Sequence, residues 1–362
     1  MKTDTPTLFI DEEKCRRNIR QMAQKAANNR VSFRPHFKTH QSAVIGEWFR
    51  EEGVGGITVS SVSMAAYFAD HGWEDVTVAV PCNIREIEAI NTLAGQIRLN
   101  LLVESPETAR FLQTHLTHTV GLYVEIDTGQ HRTGVAPEDT HTQREILQVI
   151  RSADRLSPRG FYSHPGHTYH ANSPGQIVTF QRRAIKALVE LRARYASEFP
   201  DLRICIGDTP GCSLNDNLRP ADEVSPGNFV FYDAMQQHLG ACSWDQIAVA
   251  AACPVIATYP ERNEVVIYGG AIHLSKDSLA LDEGITSYGA IVEIGDGHWG
   301  RPWNGAFVRA ISQEHGVVRL LAEQARNLRV GDVLGILPVH SCLTANLFRE
   351  YRTPAGEVIS MM

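Results

Sequence analysis

Six short segments concentrate the side chains of this sequence that can do chemistry. In RPHFKTHQ (34–41), His36, Lys38 and His40 alternate, so on an extended chain they share one face. A primary amine in such a setting, partly desolvated at a strand end, is suited to condensing with an aldehyde. VEIDTGQHRTGV (124–135) ends a strand in a Gly-rich turn that carries Asp127, His131 and Arg132. An arginine fork can hold a phenolate, a carboxylate or a phosphate. In GFYSHPGHTYH (160–170), His164 can stack on a flat ring, while Gly166, His167 and Tyr169 offer donors. GDTPGCS (207–213) and SPGNFVFYD (225–233) supply Gly-rich turns and short hydroxyls of the kind that bind phosphate on backbone N–H groups. In PVHSCLTANL (338–347), His340 and Cys342 stand two apart in a β-type run and so point to one side. An imidazole and a thiolate there suit Zn²⁺, with further positions for water and substrate. Taken singly, each segment also fits a braced turn or a solvated surface, and a lone HxC is a weak metal motif.

The order of elements gives these segments a common frame. From residue 31 onward, β-rich runs begin at VSFRPHF (31–37), GITVS (56–60), VTVAV (76–80), IRLNLLV (97–103), VGLYVEI (120–126), SPRGFYS (157–163), RICIG (203–207) and EVSPGNFVFY (223–232). Amphipathic stretches such as SAVIGEWFREE and TQREILQVIRSA lie between them. Continuous apolar strands alternating with helices signal a parallel sheet covered on both faces, and eight such units predict a (βα)8 TIM-like barrel. In a barrel, the C-terminal strand ends carry the chemistry, and the turns after strands seven and eight often hold a phosphate. A doubly wound open sheet is the rival arrangement, but no GxGxxG follows the first strand. After about residue 245 the texture becomes β-type runs separated by turns, which predicts a mostly antiparallel β domain. The expected organisation is an N-terminal segment (1–20) joining the β domain, a barrel (21–245) and a C-terminal β domain (246–362).

Composition bounds the partners. A net charge of −7 speaks against nucleic acid or an anionic membrane surface. No apolar stretch approaches bilayer length, and the N-terminus lacks a signal-peptide h-region, so the expected location is the cytoplasm. Seven scattered cysteines without a CxxC pair read as reduced thiols.

In order, RPHFKTH, DTGQHRTGV, SHPGHTY, GDTPGCS, SPGNFVFYD and PVHSC resemble the fold-type III pyridoxal enzymes, specifically the D-serine dehydratase and D-threonine aldolase family. The resemblance covers nearly the whole chain. It implies an alanine-racemase-like barrel and a homodimer. By the same resemblance, Lys38 would carry pyridoxal 5′-phosphate and act as base at the substrate α-carbon. Arg132 would lie beside the cofactor phenolate oxygen and His164 behind the pyridine ring. Tyr169, Thr209, Gly227 and Asn228 would cradle the phosphate, and His340 with Cys342 would bind a divalent metal. Dehydratase members show His-x-Cys and bind zinc, whereas aldolase members tend towards His-x-Asp and manganese. Cys342 therefore points to zinc and to the dehydratase, and the resemblance as a whole implies a D-amino-acid substrate, D-serine first.

Two stretches depart from the family pattern. Its DAGxKALS reads here YGGAIHLSKD (268–277), and its EHG reads Ser287 to Gly289. Alongside D-serine dehydration stand retro-aldol cleavage of D-threonine, a 3-hydroxyaspartate as substrate, racemisation with Tyr268 or Tyr288 as a second base, and cofactor binding without turnover.

Overall fold

Strands buried on both faces need continuous apolar sequence, and that is where strands form. The computed structural model describes residues 3–281 and 284–362. Its parallel sheet has the strands Ser32–Phe33, Ile57–Val59, Asp75–Pro81, Arg98–Val103, Val120–Glu125, Leu156–Ser163, Arg203–Ile206 and Glu223–Val224. Neighbours in sequence are neighbours in space. The first strand pairs with the eighth, Ser32 opposite Glu223 and Phe33 opposite Val224. A parallel bridge from His36 to Thr58 joins the first strand to the second, with Phe37 N–H donating to Thr58 O at 2.8 Å. The sheet thus closes as the expected eight-stranded barrel.

Local sequence starts the covering helices. Ser105 caps Pro106–His115 through Thr108 N–H, and Ser173 caps Pro174–Tyr195 through Gln176 N–H. In both, proline occupies the first turn, where its missing N–H costs nothing. At the strand starts a buried ion network ties the barrel together. Arg34 meets Asp75 at 2.9 Å and Glu223 at 3.3 Å, and Tyr123 O–H donates to Glu223 at 2.7 Å.

The β-type sequence of the last third forms the other large sheet. Its strands run Glu264–Tyr268, His315–Arg319, Phe307–Ile311, Gly289–Val292, Val333–Pro338, Val249–Tyr259, Thr7–Ile10, Glu350–Arg352 and Val358–Ser360 in spatial order. Pairings are antiparallel except Thr7–Ile10 with Glu350–Arg352. The chain divides into two compact units, Met1–Arg20 with Asn228–Met362, and Gln21–Gly227. The junction therefore falls at Gly227/Asn228 rather than at 245/246. The reason is local: Asn228–Val230 leaves the strand path as a single helical turn. The residues after it bond within the β unit, with Met235 N–H donating to Val339 O at 3.3 Å and Ala248 N–H to Phe231 O at 2.8 Å. No helix among the described residues is long and apolar enough to cross a membrane.

Candidate active-site residues

Lys38 follows the first barrel strand, but not on an extended chain. Residues 37–40 form a turn closed by Gln41 N–H donating to Phe37 O at 3.0 Å, with Gln41 at φ 48°. The alternation of His36, Lys38 and His40 therefore does not place them on one face. Half-buried Lys38 donates its N–H to His36 Nδ1 at 3.3 Å. His40 instead enters the aromatic core, its ring 4.4 Å from that of Phe37 and 5.5 Å from that of Phe49. Its Nδ1 accepts from Ser42 N–H at 3.1 Å, and burial pushes its pKa down to about 3.

Arg132 stands in a loop built around one carboxylate. Asp127 Oδ1 accepts from the N–H groups of Gly129, Gln130 and His131 at 2.9–3.0 Å, and Oδ2 meets His131 Nδ1 at 3.0 Å. Positive φ at Gly129 (125°), His131 (58°) and Gly134 (105°) folds the loop tightly enough for those contacts. At Gly134 a Cβ would stand 2.7 Å from Asp127 N, so this position requires glycine. Partial burial opposes ionisation of Asp127, yet the N–H donors of His131 and Gly129 hold its carboxyl below the usual range. The loop is tied to the next strand end through Thr128 and Ser163, whose hydroxyls lie 2.8 Å apart. Gln130 adds a second tie by accepting from Gly166 N–H at 3.2 Å.

His164 hydrogen-bonds the Gly207 carbonyl through Nδ1. A carbonyl oxygen only accepts, so Nδ1 carries the proton and Nε2 keeps its lone pair. Desolvation, reinforced by the charges of Lys38 and Arg132, lowers the His164 pKa to about 3. The ring is thus a neutral, flat surface. The same two charges also bear on His36, whose pKa burial drives well below its ordinary value. Lys38, Arg132, His36 and His164 therefore share one electrostatic neighbourhood in the barrel unit.

The turns after strands seven and eight close on each other. A Cβ on Gly207 would lie 2.4 Å from Ser225 O, and one on Gly227 would lie 2.9 Å from His36 O. Thr209 begins the short helix Thr209–Leu214, whose N-cap Asp208 accepts from Gly211 N–H at 2.6 Å. Thr209 is buried, and its Oγ1 lacks a hydrogen-bond partner among the described residues. Tyr169 is half-buried in the turn Gly166–His170.

His340 and Cys342 are brought together by a helix start, not by a strand. The strand ends at Pro338, His340 is the N-cap of Ser341–Phe348, and Cys342 lies in its first turn. Desolvation opposes charge on His340, but a side-chain hydrogen bond and the charge of Cys342, then Asp233 and Asp277, raise its pKa to about 10. His340 Nδ1 lies 2.6 Å from Asp277 Oδ2. Asn228 belongs to this surround: its side-chain Nδ2 donates to Asp233 at 2.6 Å, to Ser341 Oγ at 3.0 Å and to Cys342 Sγ at 3.5 Å. Its side-chain Nδ2 is thus engaged within the β unit. Asp233 and Asp277 were not singled out from the sequence. Asp233 carries a helix N-cap signal before Ala234–His238, whereas nothing local marks Asp277. The tyrosines considered as a second base are ordinary in contact: the Tyr268 ring packs edge-on to His273 at 5.5 Å, and Tyr288 N–H donates to Val308 O at 2.8 Å.

The family described as "Alanine racemase, N-terminal domain" matches residues 10–234, and "Putative serine dehydratase domain" matches residues 248–353. The chain belongs to this family of fold-type III pyridoxal enzymes. Similar proteins include a D-serine dehydratase of Dictyostelium discoideum, 28% identical over 96% of this chain and 92% of its own. A D-threo-3-hydroxyaspartate dehydratase of Delftia sp. (strain HT23) is 27% identical over 98% of this chain and 95% of its own. The solved structure of the Delftia protein superposes with a TM-score of 0.93 at 25% identity, covering 100% of this chain and 98% of that one. Solved mutants of that protein replace a histidine and, two positions on, a cysteine by alanine, the latter in the metal-free form.

Fold-type III chemistry calls for pyridoxal phosphate, and the barrel residues fit it. Thr209 Oγ1 is a buried hydroxyl in want of an acceptor or donor, and glycine at 207 and 227 lets the backbone around it close, with no room for a Cβ against Ser225 O or His36 O. His164 supplies a neutral ring for stacking and Arg132 a cation. For a divalent cation, the imidazole of His340 and the sulfur of Cys342 are a soft donor pair. No group of three or more candidate ligands occurs among the described residues, so two protein ligands would leave positions open.

Proposed function

We propose that this chain is a pyridoxal-phosphate- and divalent-metal-dependent lyase of D-3-hydroxyamino acids that dehydrates D-serine to pyruvate and ammonia. The observation that carries the reading is the presence in one chain of Lys38, Arg132 and His164 in one electrostatic neighbourhood and of His340 and Cys342 at one helix start. The D-serine dehydratase and D-threo-3-hydroxyaspartate dehydratase relatives, each matched along nearly the full length, support it.

Lys38 holds the cofactor and serves as the base at the substrate α-carbon. Arg132 faces the phenolate oxygen. Neutral His164 backs the ring without adding a charge that would compete with the pyridine nitrogen. Tyr169, Thr209 and Gly227 cradle the phosphate, and Asn228 contributes there through its backbone, its amide being taken up by Asp233 and Ser341. When bound, pyridoxal phosphate is an electron sink for a carbanion at the α-carbon, and a divalent cation is a Lewis acid for a departing β-hydroxyl. His340 and Cys342 hold the cation. Zinc suits this nitrogen–sulfur pair better than manganese, which prefers oxygen. The working protein is a homodimer in the cytoplasm, where the seven cysteines, none of them in a disulfide among the described residues, stay reduced.

A second reading, dehydration of D-threo-3-hydroxyaspartate, is favoured by the TM-score of 0.93 to an enzyme of that name. The purified chain, chelated and then given zinc or manganese, is assayed on D-serine, D-threo-3-hydroxyaspartate, D-threonine and D-alanine. Keto acid from D-serine, lost on chelation, is the expected result. Oxaloacetate from the hydroxyaspartate alone moves the substrate. Aldehyde from D-threonine without keto acid makes the chain an aldolase, and L-isomer alone makes it a racemase. No turnover on any of them refutes the reading.

A further inference from the structure

The stretch YGGAIHLSKD, where this chain departs from its family's pattern, ends on Asp277. Asp277 Oδ2 lies 2.6 Å from Nδ1 of His340, a residue 63 positions away. We infer that Asp277 is a positioning residue for His340, its carboxylate fixing the imidazole so that Nε2 is the nitrogen presented to a divalent cation. The inference rests on the reading of His340 and Cys342 as the cation pair.

The chemistry of the contact decides which nitrogen is left for a cation. A carboxylate only accepts, so Nδ1 keeps its proton, and Nε2 is the nitrogen on which a cation would take the place of a proton. A histidine ligand that donates its other N–H to a carboxylate has its ring orientation held and its basicity raised. Asp277 is not driven to this partner by burial, since its side chain is 48% exposed and water could solvate it. The backbone brings it there. After the helix Ala271–Leu274 the chain reverses through Ser275 at φ 66°, a conformation that costs a non-glycine residue about 1 kcal/mol or more. Asp277 N–H donates to Ser275 Oγ at 3.2 Å, which locks the turn. Thr344 O–H donates to Leu274 O at 3.3 Å, fastening this helix to Ser341–Phe348, the helix that His340 caps. The turn that projects the carboxylate and the helix that projects the imidazole are therefore held as one piece. A role as third ligand is disfavoured, because Oδ2 is already engaged by Nδ1 and the described residues hold no three-ligand group.

The test is zinc binding by the full-length chain, measured by competition against a chromophoric chelator, for wild type, Asp277→Ala, Asp277→Asn and Cys342→Ala. Asp277→Ala should weaken zinc affinity roughly 10–100-fold while still binding a single cation at saturation. Asp277→Asn, which keeps an acceptor but loses the charge, should fall between. Cofactor absorbance and the thermal melt of the unloaded protein should not change, which separates positioning from a general loss of structure. If Cys342→Ala binds zinc as wild type does, the cation-pair reading falls. If Cys342→Ala loses zinc while both Asp277 variants bind it with wild-type affinity, the positioning inference alone falls. Complete loss of zinc capacity in Asp277→Ala makes Asp277 a ligand and also overturns it.

Discussion

Acid should destabilise the barrel unit through a histidine that never touches a substrate. His40 is fully buried among Phe37, Phe49 and Phe68, and burial lowers its pKa from 6.5 to about 3. Because the folded-state value lies below the unfolded one, only the unfolded chain takes up the proton between the two. The stabilising difference is therefore complete above pH 6.5 and is lost as pH falls towards 3. Each pH unit below the unfolded value removes about 1.4 kcal/mol, so at pH 5 the loss is on the order of 2 kcal/mol from His40 alone. His36 acts in the same direction. The perturbation is His40→Asn, whose side-chain oxygen can accept from Ser42 N–H as Nδ1 does but which does not titrate in this range. Asparagine leaves a gap in the aromatic cluster, so the variant is weaker at every pH; the informative quantity is its change from pH 7 to pH 5. The assay is urea unfolding read by hydrogen exchange of barrel-strand peptides, corrected for the intrinsic pH dependence of exchange. Wild type should lose about 2 kcal/mol more than the variant over that interval. Equal losses in the two proteins, within roughly 0.5 kcal/mol, refute the argument.

Other consequences follow from the same contacts. Lys38→Ala should abolish the cofactor's long-wavelength absorbance, and spectra after dialysis against pyridoxal phosphate check it. Thr209→Val removes a buried hydroxyl that has no partner among the described residues, so the thermal melt of the cofactor-free chain should hold or rise. Its cofactor affinity should drop by about 1 kcal/mol, roughly fivefold, measured by fluorescence titration. Gly207→Ala places a Cβ 2.4 Å from Ser225 O, backbone that cannot swing aside, and should lower the melting temperature as well as cofactor retention.

Much of this arrangement is legible in sequence because apolar runs alternate along the chain with amphipathic stretches. Barrel strands buried on both faces must be continuously apolar, and all eight runs between 31 and 232 contain a strand. The eighth, EVSPGNFVFY, keeps only Glu223–Val224, because the Pro226–Gly227 pair that follows cannot continue a ladder. Alternation misled at 36–40. Three polar residues at every second position look like a strand face, yet the chain turns and His40 is drawn among phenylalanine rings, a tertiary preference that no period encodes. At 340–342 the expectation of proximity was met for a different reason, since a helix N-terminus rather than a strand brings the two side chains together. Asp277 could not be read at all. Its partner is 63 residues distant, and only the folded turn at Ser275 joins them.

Asp233 accounts for where the side-chain amide of Asn228 is engaged and for how the backbone beside His340 and Cys342 is held. Its carboxylate, 1% exposed, accepts from Asn228 Nδ2 at 2.6 Å, Ser341 N at 3.0 Å, Ser341 Oγ at 3.4 Å and Gln236 N at 2.9 Å. Burial raises its pKa, while the charge of His340 and these donors work against that rise. A carboxylate so placed would be costly without donors, and here they come from both the 228–236 segment and the helix start at Ser341. Ser341 is the residue between His340 and Cys342, and its backbone and side chain are both held. Turning either ligand away therefore means breaking a buried hydrogen bond to a charged group, which costs roughly 1.5–3 kcal/mol. Asp277 Oδ2 adds a contact to His340 Nδ1 at 2.6 Å, so both donors are held by carboxylates. On the proposed reading, that is how a pair of ligands, fewer than most zinc sites employ, would hold a cation and still leave positions free for a substrate oxygen.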